Sequence, residues 1–230
     1  MFHSSKGYSM KPREKFNEAL FQLLILVLFG IPFLLLGLNF GCQKQKEESK
    51  ETRLKVTVEN LQTAYAKSVN YARMYTLFTK RAEKDRLLNV ANLYRAVSRS
   101  EQVHADLHAG LLRKNGVEPV APQEEAVTVG TTLQTLKLSM SSEEIEFGSM
   151  YPNLIHTAEI EKDSAAAAQF RMTKEVEIQH AELFKEAFDR SGRIGRIQYF
   201  VCPGCGYILR SEKTEECPVC HSKKDKFERV

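Results

Sequence analysis

Cysteine is almost absent outside one short stretch. Of the five in the chain, four lie between Cys202 and Cys220, and Cys42 stands alone. A disulfide framework would spread its cysteines along the chain, so the cluster reads instead as a metal site. No basic stripe interleaved with aromatics occurs, and the net charge of the 230 residues is only +4, which argues against nucleic acid as a partner. No internal repeat is visible beyond a loose pairing of helical hairpins. Asp and Glu are missing altogether from Asn60 to Ala82. What remains is ordinary for a folded body, 27% charged and 43% apolar, with length for one medium domain and a small appendage.

One long apolar run stands apart from this pattern. Ala19 to Phe40 carries only Gln22 and Asn39 as polar types, and about 20 such residues span a bilayer core. Pro32 lies mid-run, which membrane helices tolerate. Lysines and arginines flank both ends, so charge does not orient the span; the exported side is favoured over the cytoplasmic one. The run closes on Gly41-Cys42, as a lipoprotein signal does, although Asn39 stands where a small aliphatic residue is expected. Residues 1–42 therefore read as a membrane anchor, either a transmembrane helix or a lipid on Cys42. The charged residues 43–53 read as a tether.

From Leu54 to Asn115 apolar residues recur at helical spacing, as in Leu61, Tyr65, Val69, Ala72 and Tyr75, then Leu87, Val90, Leu93 and Val97. Asp85 divides two helices, and Asn115-Gly116 suits a left-handed cap. Val117 to Gly130, with Pro119 and Pro122, is long for a tight turn and reads as a crossover. Thr131 to Asp163 reads as a third helix bent at Tyr151-Pro152, and Ser164 to Arg190 as a fourth. Gly192 and Gly195 read as a hinge. The fold class is mainly α: a four-helix bundle over residues 54–191 and a small metal domain over 197–230.

The tail carries Cys202-Pro-Gly-Cys205-Gly-Tyr and Cys217-Pro-Val-Cys220. Each pair puts two thiolates on one tight turn, and two facing turns make a tetrahedral four-sulfur cage. Gly204 and Gly206 let backbone wrap the sulfurs, with Phe200, Tyr207 and Phe227 as an apolar cover. Spacing leaves iron and zinc both open: iron would carry one electron, and zinc would be structural.

A second constellation lies on the helices. Glu101-Gln-Val-His104 and Glu177-Ile-Gln-His180 each set a carboxylate and an imidazole one turn apart on one face. Glu143 and Glu146 repeat that spacing on a third helix, within an acidic patch that includes Glu144. One Glu-x-x-His pair in so glutamate-rich a chain would mean little. Two of them facing inward, with further glutamates, describe a di-iron carboxylate site, and a solvated acidic face is the bland alternative.

Residues 54–230 resemble the rubrerythrins: a ferritin-like bundle with two Glu-x-x-His helices, Glu143 and Glu146 ahead of Met150-Tyr151-Pro152, and a C-terminal rubredoxin-like knuckle. The first helix adds Ala64 to Phe78. The resemblance implies a di-iron site with Glu101 and Glu177 bridging, His104 and His180 terminal, and Glu143 and Glu146 on the third-helix side. Tyr75 and Tyr151 would be hydrogen-bonding neighbours at the reacting centre. It implies peroxide reduction with electrons relayed from a donor protein through iron in the four-cysteine site. It also implies a homodimer in which each knuckle approaches the partner's bundle. Two departures stand out. Ser68 occupies the place of a first-helix ligand glutamate, and His221 follows the last cysteine where a small residue is usual. An iron-oxidising or iron-handling role, and a membrane-tethered zinc module with a degenerate bundle, are the other readings.

Overall fold

The computed structural model describes residues 38–210 and 214–230, with side chains placed from residue 56 onward. Thr52–Val230 forms one compact unit. The apolar run assigned to a membrane anchor lies outside the described residues except for its last three positions. Among the described residues no helix is long and apolar enough to cross a membrane. The assigned tether falls inside a helix, α1, Leu38–Lys84.

The bundle continues with α2, Leu88–Lys114, and α3, Thr132–Ile145. A π-helical turn, Glu146–Met150, leads into α4, Tyr151–Ile160, and α5 is Ser164–Asp189. The irregularity in the third helix thus comes just before Tyr151-Pro152. Pro152 then sits in the first turn of α4, directly after the π turn. A π turn admits one extra residue and re-aims the side chains on either side of it. Asp163 caps α5 by accepting from the Ala166 amide.

Residues 117–130 cross over without regular structure, held along α1 by side chains. The Gln62 amide exchanges two hydrogen bonds with the Val120 backbone, at 2.8 and 2.9 Å, and Arg73 donates to the Glu125 carbonyl. The crossover ends in a capping box in which Thr131 and Gln134 satisfy one another's amides. Asp85 then ties the end of α1 to the start of α3. One carboxylate oxygen accepts from Arg81 Nε at 2.9 Å, the Thr132 amide at 2.9 Å and the Thr132 hydroxyl at 2.7 Å. The Arg81 bond, with those from Thr132, holds the Asp85 pKa down at about 2. Because the folded pKa lies below the unfolded value, this stabilisation is complete above about pH 4 and disappears as pH falls toward 2. Asp85→Ala should cost about 1–2 kcal/mol at pH 7 and much less at pH 2.5. Denaturant melts at the two pH values check it; a loss of equal size at both would contradict the carboxylate's role.

Two apolar clusters fill the bundle. One is built on Tyr75, Phe78, Tyr94 and Phe184, the other on Leu61, Leu112, Tyr151 and Phe170. In sequence order on α1, α2 and α5, a short polar layer falls between them, and it carries Ser68, Glu101, His104, Glu177 and His180. Apolar material on both sides denies that layer water.

The knuckle is a three-stranded antiparallel sheet in the order β2-β1-β3, with β1 Phe200–Val201, β2 Ile208–Leu209 and β3 Glu228–Arg229. The connection into it does not act as a free hinge. Gly192 has φ +75° and packs so closely that a Cβ there would lie 2.8 Å from the Leu87 side chain. Asn89 donates to the Ile194 carbonyl, and Ile194 is buried.

Candidate metal centre

The four cysteines meet. Cys202 and Cys220 sulfurs lie 3.4 Å apart, as do those of Cys205 and Cys217, far beyond a disulfide length of about 2.05 Å. All four ligand atoms fall within 4.8 Å of one another. Tyr207 and Phe227 pack against the sulfurs as expected, together with Val176 and Met172 from α5. Phe200 is not part of this cluster; with Leu209, Lys223 and Phe227 it lines a neighbouring cavity.

In the bundle the sequence candidates also converge. Glu101, His104, Glu143, Glu146, Glu177 and His180 are all buried, whereas Glu144 is exposed. Glu177 presents one oxygen to each imidazole, 3.0 Å from His104 Nδ1 and 2.8 Å from His180 Nδ1. Glu101 faces the same two nitrogens at 3.6 and 3.7 Å. Two carboxylates each spanning two imidazoles is the arrangement a bridged metal pair requires.

Contacts of the outer nitrogens fix how the two rings are oriented. His104 Nε2 donates to the Cys205 carbonyl at 3.0 Å. His180 Nε2 donates to Ser100 Oγ at 3.0 Å, and Ser100 donates onward to the Gly206 carbonyl at 2.6 Å. Each ring therefore turns its Nδ1 toward the carboxylates. Both anchoring carbonyls belong to the knuckle. The knuckle thus meets the bundle of its own chain, whereas the resemblance implies an approach to a partner's. Arg99 with Glu228, and Gln179 with the Ile208 backbone, complete the contact.

Charge at the site is unbalanced. Burial, and then the charge of Glu177, push Glu143 and Glu146 well above the usual carboxylate range. Burial would raise Glu177 too, but the two imidazoles pull it below. Both oxygens of Glu101, Glu146 and Glu177, one of Glu143, and both inward imidazole nitrogens have no hydrogen-bond partner. Buried polar atoms left so are costly, and four carboxylates match the charge of two divalent ions. The residues fit a metal pair.

Tyr75 donates to Glu143 Oε1, while the Tyr151 hydroxyl meets the His108 ring instead. Ser68 is buried with an unpartnered hydroxyl. Its neighbour Lys67 places Nζ 3.8 Å from Glu146. Sequence reasoning missed Lys67, Ser100 and His108; of these only His108 gave a signal, lying one helical turn beyond His104.

The rubrerythrin family model matches residues 59–188, and the model for the rubrerythrin rubredoxin-like domain matches 200–228. Rubrerythrin-2 of Clostridium acetobutylicum is 28% identical over 178 residues, covering 75% of this chain and 96% of that protein. Nigerythrin of Nitratidesulfovibrio vulgaris is 30% identical over 177 residues, covering 77% and 88%. A solved structure of nigerythrin in a mixed-valence state superposes with a TM-score of 0.70 at 30% identity, over 76% of this chain and 86% of that one. A bacterioferritin from Desulfovibrio desulfuricans, 18% identical, shares the helical fold with a TM-score of 0.59 over 64% of this chain and 85% of that one.

Proposed function

The chain belongs to the rubrerythrin family, with di-iron and four-cysteine iron as its cofactors, and from that premise we propose that it reduces hydrogen peroxide to water. Glu101, Glu143, Glu146, Glu177, His104 and His180 would hold the iron pair, and Cys202, Cys205, Cys217 and Cys220 the single iron. When bound, the pair would supply the two electrons that turn peroxide and two protons into two waters.

The observation that carries this reading is the His104–Cys205 hydrogen bond. It joins a bundle ligand to the backbone of a knuckle ligand with no solvent between, so an electron entering at the cysteines has a short bonded route inward. Glu177 and Glu101 orient both imidazoles, and Tyr75 holds Glu143 in place. The apolar clusters above and below exclude water and preserve the force of these charges. An electron donor protein of unidentified kind would serve the knuckle. We also propose a homodimer; a monomer by sedimentation equilibrium would remove the dimer and leave the site untouched. We further propose that the N-terminal apolar run attaches the chain to a membrane, and recovery of the full chain in the soluble fraction would refute it.

Purified full-length protein should be coloured by a ferric tetrathiolate, bleach on reduction, and consume peroxide when a reductant is supplied. Colourless protein with one zinc, or iron-loaded protein inert to peroxide, would sink the reading. The Lys67–Glu146 contact favours a second reading, iron handling, because one metal position would then load and release more easily. Oxidation of added ferrous ion faster than peroxide turnover would select it.

A further inference from the structure

His108 is a buried histidine with no role among the metal candidates. It lies one turn beyond His104 on α2 and is wholly enclosed. Both ring nitrogens are engaged. Gln169 Nε2 lies 3.0 Å from His108 Nδ1, and an amide nitrogen only donates, so Nδ1 must hold a lone pair. The ring proton is then on Nε2, which lies 3.4 Å from the Tyr151 hydroxyl oxygen. Burial, reinforced by the charge of His104, lowers the His108 pKa to about 3, which keeps the ring neutral and this tautomer complete. The imidazole is stacked along Tyr151 at an interplanar angle of 22° and backed by Phe170 at 5.7 Å. It has no room to turn over.

Tyr151 follows the π turn directly, its amide bonded to the Glu146 carbonyl, and it packs in the apolar cluster that borders the carboxylate layer. Among the described residues its hydroxyl makes no hydrogen bond except that with His108.

We infer that Gln169 and His108 form a positioning pair for Tyr151: by donating to the phenol oxygen, His108 leaves the phenol hydrogen directed at the carboxylate pocket. Resting on the peroxidase reading, this makes Tyr151 an oriented hydrogen-bond donor to an oxygen species entering the pocket, and His108 the residue that prevents its rotation. A histidine of the opposite tautomer would accept that hydrogen and turn it away.

Two measurements test this on the full chain. In protein labelled with 15N-histidine and loaded with zinc, which is diamagnetic, long-range 1H–15N spectra should show His108 protonated at Nε2. Protonation at Nδ1 overturns the inference whatever the activity. In iron-loaded protein, His108→Phe keeps a flat ring against Tyr151 and Phe170 but removes the donor. Its kcat for peroxide should fall about tenfold with KM and iron content unchanged, less than the roughly 10²- to 10⁴-fold expected for losing a proton donor outright. Gln169→Leu should lower kcat in the same sense, and it serves alone should His108→Phe not fold. Phe170→Leu, which loosens the same packing without touching a hydrogen bond, should reduce stability and leave kcat near wild type. Equal kcat losses in Phe170→Leu and His108→Phe would mean mere packing and overturn the inference. Wild-type protein inert to peroxide would sink the peroxidase reading, while the tautomer would still decide the geometry.

Discussion

Glu177→Ala is expected to empty the bundle of iron, and Ser68→Glu to fill it more completely than the native chain does. Glu177 faces both imidazoles at 3.0 and 2.8 Å, and no other carboxylate approaches either nitrogen so closely. Its removal takes a ligand from both metal positions at once. The loss should exceed the 10- to 100-fold typical of removing an outer hydrogen-bond partner, so roughly 100-fold or more at each position. The two positions also differ in the native chain. Ligand atoms of Glu101, Glu143, Glu177 and His180 lie within 4.8 Å of one another, which is a complete four-donor set. The other position would have only His104 and Glu146 beside the Glu177 and Glu101 it shares with the first, and Glu146 is already neutralised in part by Lys67. Ser68, buried on the face of α1 that also carries Tyr75, offers a neutral hydroxyl where a carboxylate would supply charge. Anaerobic ferrous titration of full-length protein should therefore show one tight and one weaker bundle site, with knuckle iron counted separately from its colour. Ser68→Glu should bring the two together, and Lys67→Met should do so partially. If native protein and Ser68→Glu both bind no iron in the bundle, the site has been lost for reasons beyond the first helix, and redox function goes with it.

How far these features can be read from sequence follows from how local they are. The cysteine pairs and the two Glu-x-x-His pairs are legible because a metal needs its donors on one turn, and one turn is three residues. The capped end at Asn115-Gly116 and the unstructured crossover are local as well, set by a glycine at φ +74° and by two prolines. Ser68 is legible only against a family pattern, as an absence. Lys67 is invisible because its reach to Glu146 depends on the π turn, which no local signal announces; Pro152 marks only the helix after it. The His108–Gln169 bond spans 61 positions and exists only once α2 and α5 are packed. The misplaced hinge has the same origin. Gly192 looks like freedom in the sequence, but its positive φ serves a close approach to Leu87, and Ile194 is drawn into the core.

Gly204→Ala and Gly206→Ala, two residues apart, are expected to fail in different ways. At Gly204 a Cβ would lie 2.6 Å from the Ser222 hydroxyl and 3.1 Å from the Cys220 sulfur, so the damage falls on the metal cage and the protein should lose knuckle colour. Gly206 stands at φ +86°, and its Cβ would lie 2.5 Å from Ser100 Oγ and 2.7 Å from His104 Nε2. An L-residue there costs about 1–2 kcal/mol in backbone strain alone. The cage can absorb that cost, because a four-thiolate site contributes on the order of 10 kcal/mol to folding its own domain. The contact with the bundle cannot, because both groups that the new methyl would strike are the ones that receive the knuckle. Gly206→Ala should therefore keep its ferric thiolate colour and its bundle iron. Oxidation of the reduced knuckle by a single addition of peroxide should slow by up to ~10²-fold, since displacements near 1 Å can have effects of that size. Ser100→Ala removes the hydrogen bond to Gly206 without the collision, so it should slow the same step less. Stopped-flow recovery of the thiolate absorbance reads all three variants against the native chain. Unchanged recovery in Gly206→Ala, with the colour intact, would show that electrons reach the bundle by another route, from a partner's knuckle or from solution.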